Sequence, residues 1–322
     1  MQDVTALGEL LIDFISVGSD DSGYPTLKAQ PGGAPANFLA ALHAYGGSCA
    51  MIGKVGDDVF GHLLNQTLEE KGVDNRGVII DPKVFTTLAF VTLDDEGNRE
   101  FSFSRKPGAD TCLHSDDIDY QLIEDSQVFH FGSLSLTNEP VRTATHRALA
   151  TAKRAGVLIS FDPNLRKPLW ENLSIAKAQI EWGLYQADIV KISLDEVDFL
   201  WGVDAETAAK YLMETYGVKL VYVTLGPDGC YFANGQCTGY VESPKDINVV
   251  NTTGAGDIFS GAAMSRFLKF GKAPEELNRE ALKEITRFGC YAASLSTQKH
   301  GGIDSVVPEP DVIAFMERDL AK

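Results

Sequence analysis

No Cys-x-x-Cys pair occurs in the 322 residues, and the cysteines (Cys49, Cys112, Cys230, Cys237 and Cys290) are odd in number. That argues against a disulfide framework or a zinc site and fits a reducing, cytoplasmic setting. Long apolar runs are missing too: no stretch approaches the roughly 18 residues needed to cross a bilayer. The first residues, Met1-Gln2-Asp3-Val4, lack the basic and apolar regions of a secretory leader. Basic residues are scarce, 28 against 45 acidic, for a formal net charge of −17. Such a chain repels phosphate backbones and anionic lipid, so neither nucleic acid nor membrane is an expected partner. Familiar motifs are also absent. The nearest approach to a Walker loop, Gly47 to Gly53-Lys54, has five residues between its glycines and continues into Val55. There is no G-x-G-x-x-G, no H-E-x-x-H and no G-x-S-x-G. What is present is 44% hydrophobic and 9% aromatic residues, enough for a sizeable core.

Val128 to Phe131, Val157 to Phe161, Ile189 to Ile192 and Leu220 to Thr224 read as buried strands, with helices over Ala144 to Ala155 and Ala176 to Gln186. This alternation predicts an α/β fold, a mainly parallel sheet with helices on both faces, hence three layers. Two regions break the rhythm. Leu7 to Val17 reads as strand followed by strand. Thr87 to Leu93 and Arg99 to Ser104 alternate apolar and polar residues around Asp94-Asp95-Glu96-Gly97-Asn98, the pattern of a β-hairpin. Hairpins inside such a chain predict a small antiparallel β lid over a site at the strand ends.

The chemistry concentrates in Thr252-Thr253-Gly254-Ala255-Gly256-Asp257. Val249-Val250 before it reads as the end of a strand. After it, Phe259, Ala262, Ala263, Arg266, Phe267 and Phe270 recur at helical spacing. A glycine-rich turn opening into a helix presents free N–H groups and the positive end of the helix dipole to an anion. Asp257 has two readings. It is a helix-start carboxylate that complements the dipole, or it is a base placed beside an anion pocket, accepting a hydroxyl proton while a phosphoryl group moves.

Thr252 to Gly261 resembles the C-terminal signature of the ribokinase-like (PfkB) carbohydrate kinases. Pro31-Gly32-Gly33-Ala34-Pro35-Ala36-Asn37, followed by Gly53-Lys54-Val55-Gly56-Asp57-Asp58 and Phe60-Gly61, resembles their N-terminal one, in the right order. The resemblance implies one ribokinase-like domain over residues 1–322, with lid strands from about 12–30 and 83–112. It implies that Asp257 is the catalytic base and that the amides of Gly254, Ala255 and Gly256 form the anion hole, in a direct in-line transfer from ATP. It further implies that Asp13, Gly32, Gly33 and Asn37 bind sugar hydroxyls, and that Arg105 is a lid arginine touching substrate. In Asp162-Pro163-Asn164-Leu165-Arg166, Asn164 then faces the nucleotide and Arg166 the substrate. Ser193-Leu194-Asp195-Glu196 stands where the family has Asn-x-x-Glu, leaving Glu196 to hold Mg²⁺ through water and Lys191 to meet phosphate. Thr224, Gly226 and Gly229 fall in the nucleotide loop, with Cys290 and Gly301-Gly302 on the adenine side. Asn251 departs from the family's usual Asp. It keeps a carbonyl ligand but loses a charge, so Asn251 and Thr253 form a K⁺ site on which a weaker dependence than usual is expected.

Gly32 to Asn37, Phe129-His130-Phe131-Gly132-Ser133 and Asp162 to Trp170 resemble the fructokinase branch. The implied reaction is phosphorylation of the 6-hydroxyl of D-fructose. 2-Keto-3-deoxygluconate kinase, aminoimidazole riboside kinase and ribokinase are the alternatives. A catalytically silent binding protein is the reading from another class, which the intact Gly254-Ala255-Gly256-Asp257 opposes. The exposed edges of a lid invite pairing, so a homodimer through the lids is expected.

Overall fold

In the computed structural model, residues 2–93 and 99–321 are described. Strands β1 (Gln2–Leu7), β2 (Leu11–Ser19) and β3 (Pro25–Gly32) open the chain. They are followed by β4 (Cys49–Gly56), β5 (Asp74–Asp81), β6 (Leu88–Leu93) and β7 (Arg99–Ser104). Then come β8 (Ser126–Gly132), β9 (Leu158–Asp162), β10 (Ile189–Ser193), β11 (Leu220–Thr224), β12 (Gly229–Asn234) and β13 (Thr238–Glu242). Nine of them form one sheet in the order β13-β12-β11-β10-β9-β8-β1-β4-β5, parallel from β11 to β5 and antiparallel at the β11-β12-β13 edge. The strand order reverses between β1 and β8, and a crevice at the carboxyl ends beside such a reversal is where open α/β sheets bind ligands.

Strand alternation sorts the core into two faces. Phe129, Phe131, Val190 and Ile192 pack on one side with Ala144, Ala148, Ile180 and Leu184. Val128 and Ile189 pack on the other with Phe38, Phe259 and Phe267. Lys191 shares the face of Ile189, which aims its chain toward the helix Ala255–Phe270. The strands expected at 128–131, 157–161, 189–192 and 220–224 are all present within a residue or two at either end. The two helices begin three residues earlier than the apolar pattern alone indicates, at Val141 and Leu173. For the second, Asn172 caps the start, its side chain accepting from the N–H of Ile175.

The lid is a separate sheet in the order β3-β2-β6-β7. Its outer pairs, β2-β3 and β6-β7, are antiparallel hairpins, whereas the central pair β2-β6 runs parallel. The two hairpins thus lie side by side in the same sense. The hairpin turn expected at Asp94 to Asn98 lies outside the described residues, as does Met1.

One expectation fails. Val249 and Val250 do not end a strand: β13 stops at Glu242, and the two valines are 57% and 45% exposed in the loop leading to the Ala255 helix. Their apolar character serves a cleft wall instead, since Val249 lines the cavity described below.

Candidate active site

The Ala255–Phe270 helix starts at Gly254, whose φ of 81° only glycine adopts without strain. A Cβ there would lie 2.8 Å from the Cα of Gly302 and 3.2 Å from Nδ2 of Asn37. Close approach, as much as conformation, therefore requires glycine at this position. Asp257 sits in the first turn, 6% exposed. Asn37 Nδ2 donates to its Oδ2 at 2.8 Å, and Asn164 Nδ2 donates to its Oδ1 at 3.1 Å. Burial pushes the carboxyl up to about 6, the neighbouring Asp162 adds to this, and Lys191 opposes it. At neutral pH the group is a carboxylate, with a proton affinity high enough to accept from a hydroxyl.

Lys191 reaches across from β10. Its Nζ lies 3.0 Å from Oδ2 of Asp162, and a Cβ on Gly256 would meet it at 2.8 Å. Burial pulls its ammonium down, but Asp162, Glu196 and Asp257 outweigh that and raise it, so a full positive charge stands beside the helix start. Of the expected anion-hole amides, that of Ala255 donates to the carbonyl of Thr252 at a long 3.3 Å. An incoming phosphoryl oxygen would have to displace that weak bond.

On the lid side, Asp13 is pushed up to about 6, chiefly by burial, with Arg166 opposing and Asp257 adding. Gly32 crowds it: a Cβ there would fall 2.4 Å from Asp13 Oδ2. Gly33, at φ 113°, caps the helix Ala34–Ala44 that carries Asn37. Asn37 Oδ1 is buried with no hydrogen-bond partner, as is Oδ1 of Asp162. Asp13, Gly32, Gly33, Asn37 and Arg166 thus gather around Asp257 as expected, in an acceptor-rich setting suited to hydroxyl donors.

The helix start is shared with an open cavity of about 670 Å³. Ala255 and Gly256 line it together with Thr224, Gly226, Gly229 and Cys290, which brings these four of the expected nucleotide residues together. Burial pushes the Cys290 thiol up to about 12, which leaves it an unreactive wall. A second, polar cavity of about 530 Å³ is lined by Asn164, Arg166, Lys191, Ser193 and Glu196. Glu196 closes a capping box with Ser193: its Oε2 accepts from Ser193 N and Oγ, and its Oε1 from Leu165 N. Oε1 keeps a lone pair for a further donor.

Several assignments change. Asn164, expected on the nucleotide, donates through its carboxamide nitrogen to Asp257 while lining the polar cavity. Gly301-Gly302 does not line the 670 Å³ cavity: a Cβ on Gly302 would strike Asn37 Oδ1 at 2.1 Å, which puts this loop against Asn37. Arg105 is buried in an ion pair with Asp110, its Nε and Nη2 both meeting Oδ2, and it also donates to Thr137 and to the Leu134 carbonyl. Four of its five N–H donors are engaged and the residue is 6% exposed, so the structure does not show a guanidinium open to substrate. Asn251 Oδ1 accepts from Thr253 N–H at 2.7 Å. Among the described residues, no group of three or more His, Cys, Asp and Glu is arranged to hold a metal. Two functional neighbours went unread in the sequence. Asp162 anchors Lys191, and Glu9, pushed up to about 7 by burial, accepts from Ala34 N–H at the start of the Asn37 helix. The available signal for both was an acid at or just beyond the end of an apolar strand.

The family described as pfkB family carbohydrate kinase matches residues 1–310. Fructokinase-1 of Zea mays is 43% identical over 321 residues, covering 98% of each chain. A crystal structure of a fructokinase with bound ATP from Xylella fastidiosa superposes with a TM-score of 0.90 at 27% identity, covering 100% of both chains. A fructokinase double mutant from Vibrio cholerae O395, in a form with fructose, ADP and potassium ion bound, gives a TM-score of 0.86 at 31% identity over 98% of each chain.

Proposed function

The chain belongs to the pfkB family of carbohydrate kinases, and from that premise we propose that it transfers the ATP γ-phosphoryl group to the 6-hydroxyl of D-fructose with Asp257 as general base. One observation carries the catalytic part. A buried carboxylate pushed up to about 6 stands in the first turn of a helix whose N-terminus opens onto a nucleotide-sized cavity, between two carboxamide donors and a paired lysine. The choice of fructose rests on the relatives, which are named fructokinases.

In this reading Asp257 takes the hydroxyl proton as O6 attacks the γ-phosphorus. The bond from that phosphorus to the β,γ-bridging oxygen breaks and ADP leaves. Charge on the transferring group is met by the helix-start amides and by Lys191. Asp13 and Asn37 orient the hydroxyls, and Arg166 lies on the same side. Mg²⁺ would be held mainly by the nucleotide phosphates and, through water, by the remaining lone pair of Glu196, where it would neutralise phosphate charge. Asn251 offers a neutral carboxamide oxygen where the family usually has a carboxylate, and the lost charge supports a weak K⁺ requirement. Among the described residues no helix is long and apolar enough to cross a membrane, and all five cysteines are free thiols, which supports a cytoplasmic location.

The test is coupled ADP release with a panel of sugars, with the product identified by phosphorus NMR. D-Fructose should give the highest kcat/KM and a 6-phosphate. A higher value with 2-keto-3-deoxygluconate, aminoimidazole riboside or ribose would replace the substrate while keeping the chemistry. No ADP release with any sugar would leave a silent binding protein.

A further inference from the structure

Asn164 has the only positive φ, 44°, among the described non-glycine residues. Asn tolerates this region better than most residues, yet a left-handed non-glycine still carries strain, and such strain concentrates at functional sites. The strained turn follows β9 and aims the carboxamide between two charged groups. Nδ2 donates to Asp257 Oδ1 at 3.1 Å, and Oδ1 accepts from Arg166 Nη1 at 2.6 Å. The amide orientation is fixed by its neighbours. Rotating it by half a turn would set its oxygen against a carboxylate and its NH₂ against a guanidinium, losing both bonds. Asn37 takes the other oxygen of Asp257. The two carboxamides hold the carboxylate by both oxygens, from elements far apart in the chain.

We propose that Asn164 is a positioning residue for the base. It links Arg166 to Asp257 and fixes the plane of the Asp257 carboxylate, so that a free lone pair faces the acceptor hydroxyl. This rests on Asp257 being the base. A base misplaced by a fraction of an ångström loses rate without losing substrate affinity, so the effect falls on kcat rather than KM. It differs from a nucleotide contact, which would show in the KM for ATP.

Asn164→Gly separates function from strain, because glycine accepts the φ and removes the carboxamide. Its melting temperature should equal or exceed that of the wild type, while kcat falls roughly 10- to 100-fold and the sugar KM stays within about three-fold. Asn164→Asp keeps the shape but turns the donor into an acceptor facing Asp257, and kcat should fall at least as far. It also serves as the readout if the glycine variant folds poorly. Asp257→Asn is the control. If it is inactive while both Asn164 variants keep kcat within about three-fold of wild type, this inference is overturned and the base assignment stands. A raised KM for ATP with unchanged kcat would return Asn164 to the nucleotide. An active Asp257→Asn would remove the base itself.

Discussion

Asp257 and Asp13 are two buried acids, each pushed up to about 6 chiefly by burial; Asp162 adds to the rise at Asp257, and Asp257 adds to that at Asp13. The base works only when unprotonated, so kcat/KM for the sugar should climb as pH rises through about 6 and level off above about 7. An acid limb near 4 in the pH–rate profile would show that burial does not tune the base. The same shifts have the opposite sense for stability. A carboxyl raised by folding binds its proton more tightly in the native state, so its favourable contribution is present below the unfolded value and lost as pH rises through the folded one. Three residues before Gly254, Asn251 is neutral where the family usually has a carboxylate, so a cation there gains less. Replacing K⁺ with tetramethylammonium should therefore change kcat by less than about three-fold, and a larger loss would restore the cation site. Asp257 and Asn37 were legible in the sequence because each lies in a short motif. The role of Asn164 was not, since it depends on one backbone angle and a contact across 93 residues.

At the scale of elements, the start of the Ala255 helix is narrowed by Lys191 from β10. Lys191 Nζ is tied to Asp162, so it cannot swing aside freely. Gly256→Ala would place a methyl 2.8 Å from that nitrogen, in the space where phosphoryl oxygens should pass. Alanine otherwise suits a helix, and its propensity gain of about 1 kcal/mol offsets part of the cost of shifting Lys191. The steady-state kcat should fall by roughly 10- to 100-fold, a size typical of damaged oxyanion stabilisation. A normal rate would move the phosphoryl path elsewhere. The strands around this helix were legible from their apolar runs. Val249-Val250 misled because two valines read alike in a strand and on a cleft wall, and only pairing or its lack decides. The parallel β2-β6 contact was hidden for a related reason. Local alternation reveals each hairpin but not how two hairpins, one ending at Gly32 and the other starting at Leu88, lie against each other.

At the scale of the molecule, the lid is a small sheet with two outer strands, β3 and β7, and exposed apolar residues in and near its first hairpin, Val17 at 52% and Tyr24 at 71%. Edges and patches of this kind are commonly covered by a partner. Sedimentation equilibrium should therefore give twice the 34.9 kDa of the chain, and a mass of one chain at enzyme concentrations used in assays would contradict the lid dimer. The architecture itself was readable from alternation and two motifs, because both signatures fold onto the carboxyl ends of one sheet. The inner geometry was not, because it arises from strand order and packing. The measurement that bears most directly on the whole account is turnover by Asp257→Asn with ATP and D-fructose, alongside calorimetric binding of ATP to the same protein. The account predicts a fall in kcat of several orders of magnitude with ATP binding largely intact, because base and positioning are lost together. A rate near that of the wild type would contradict it.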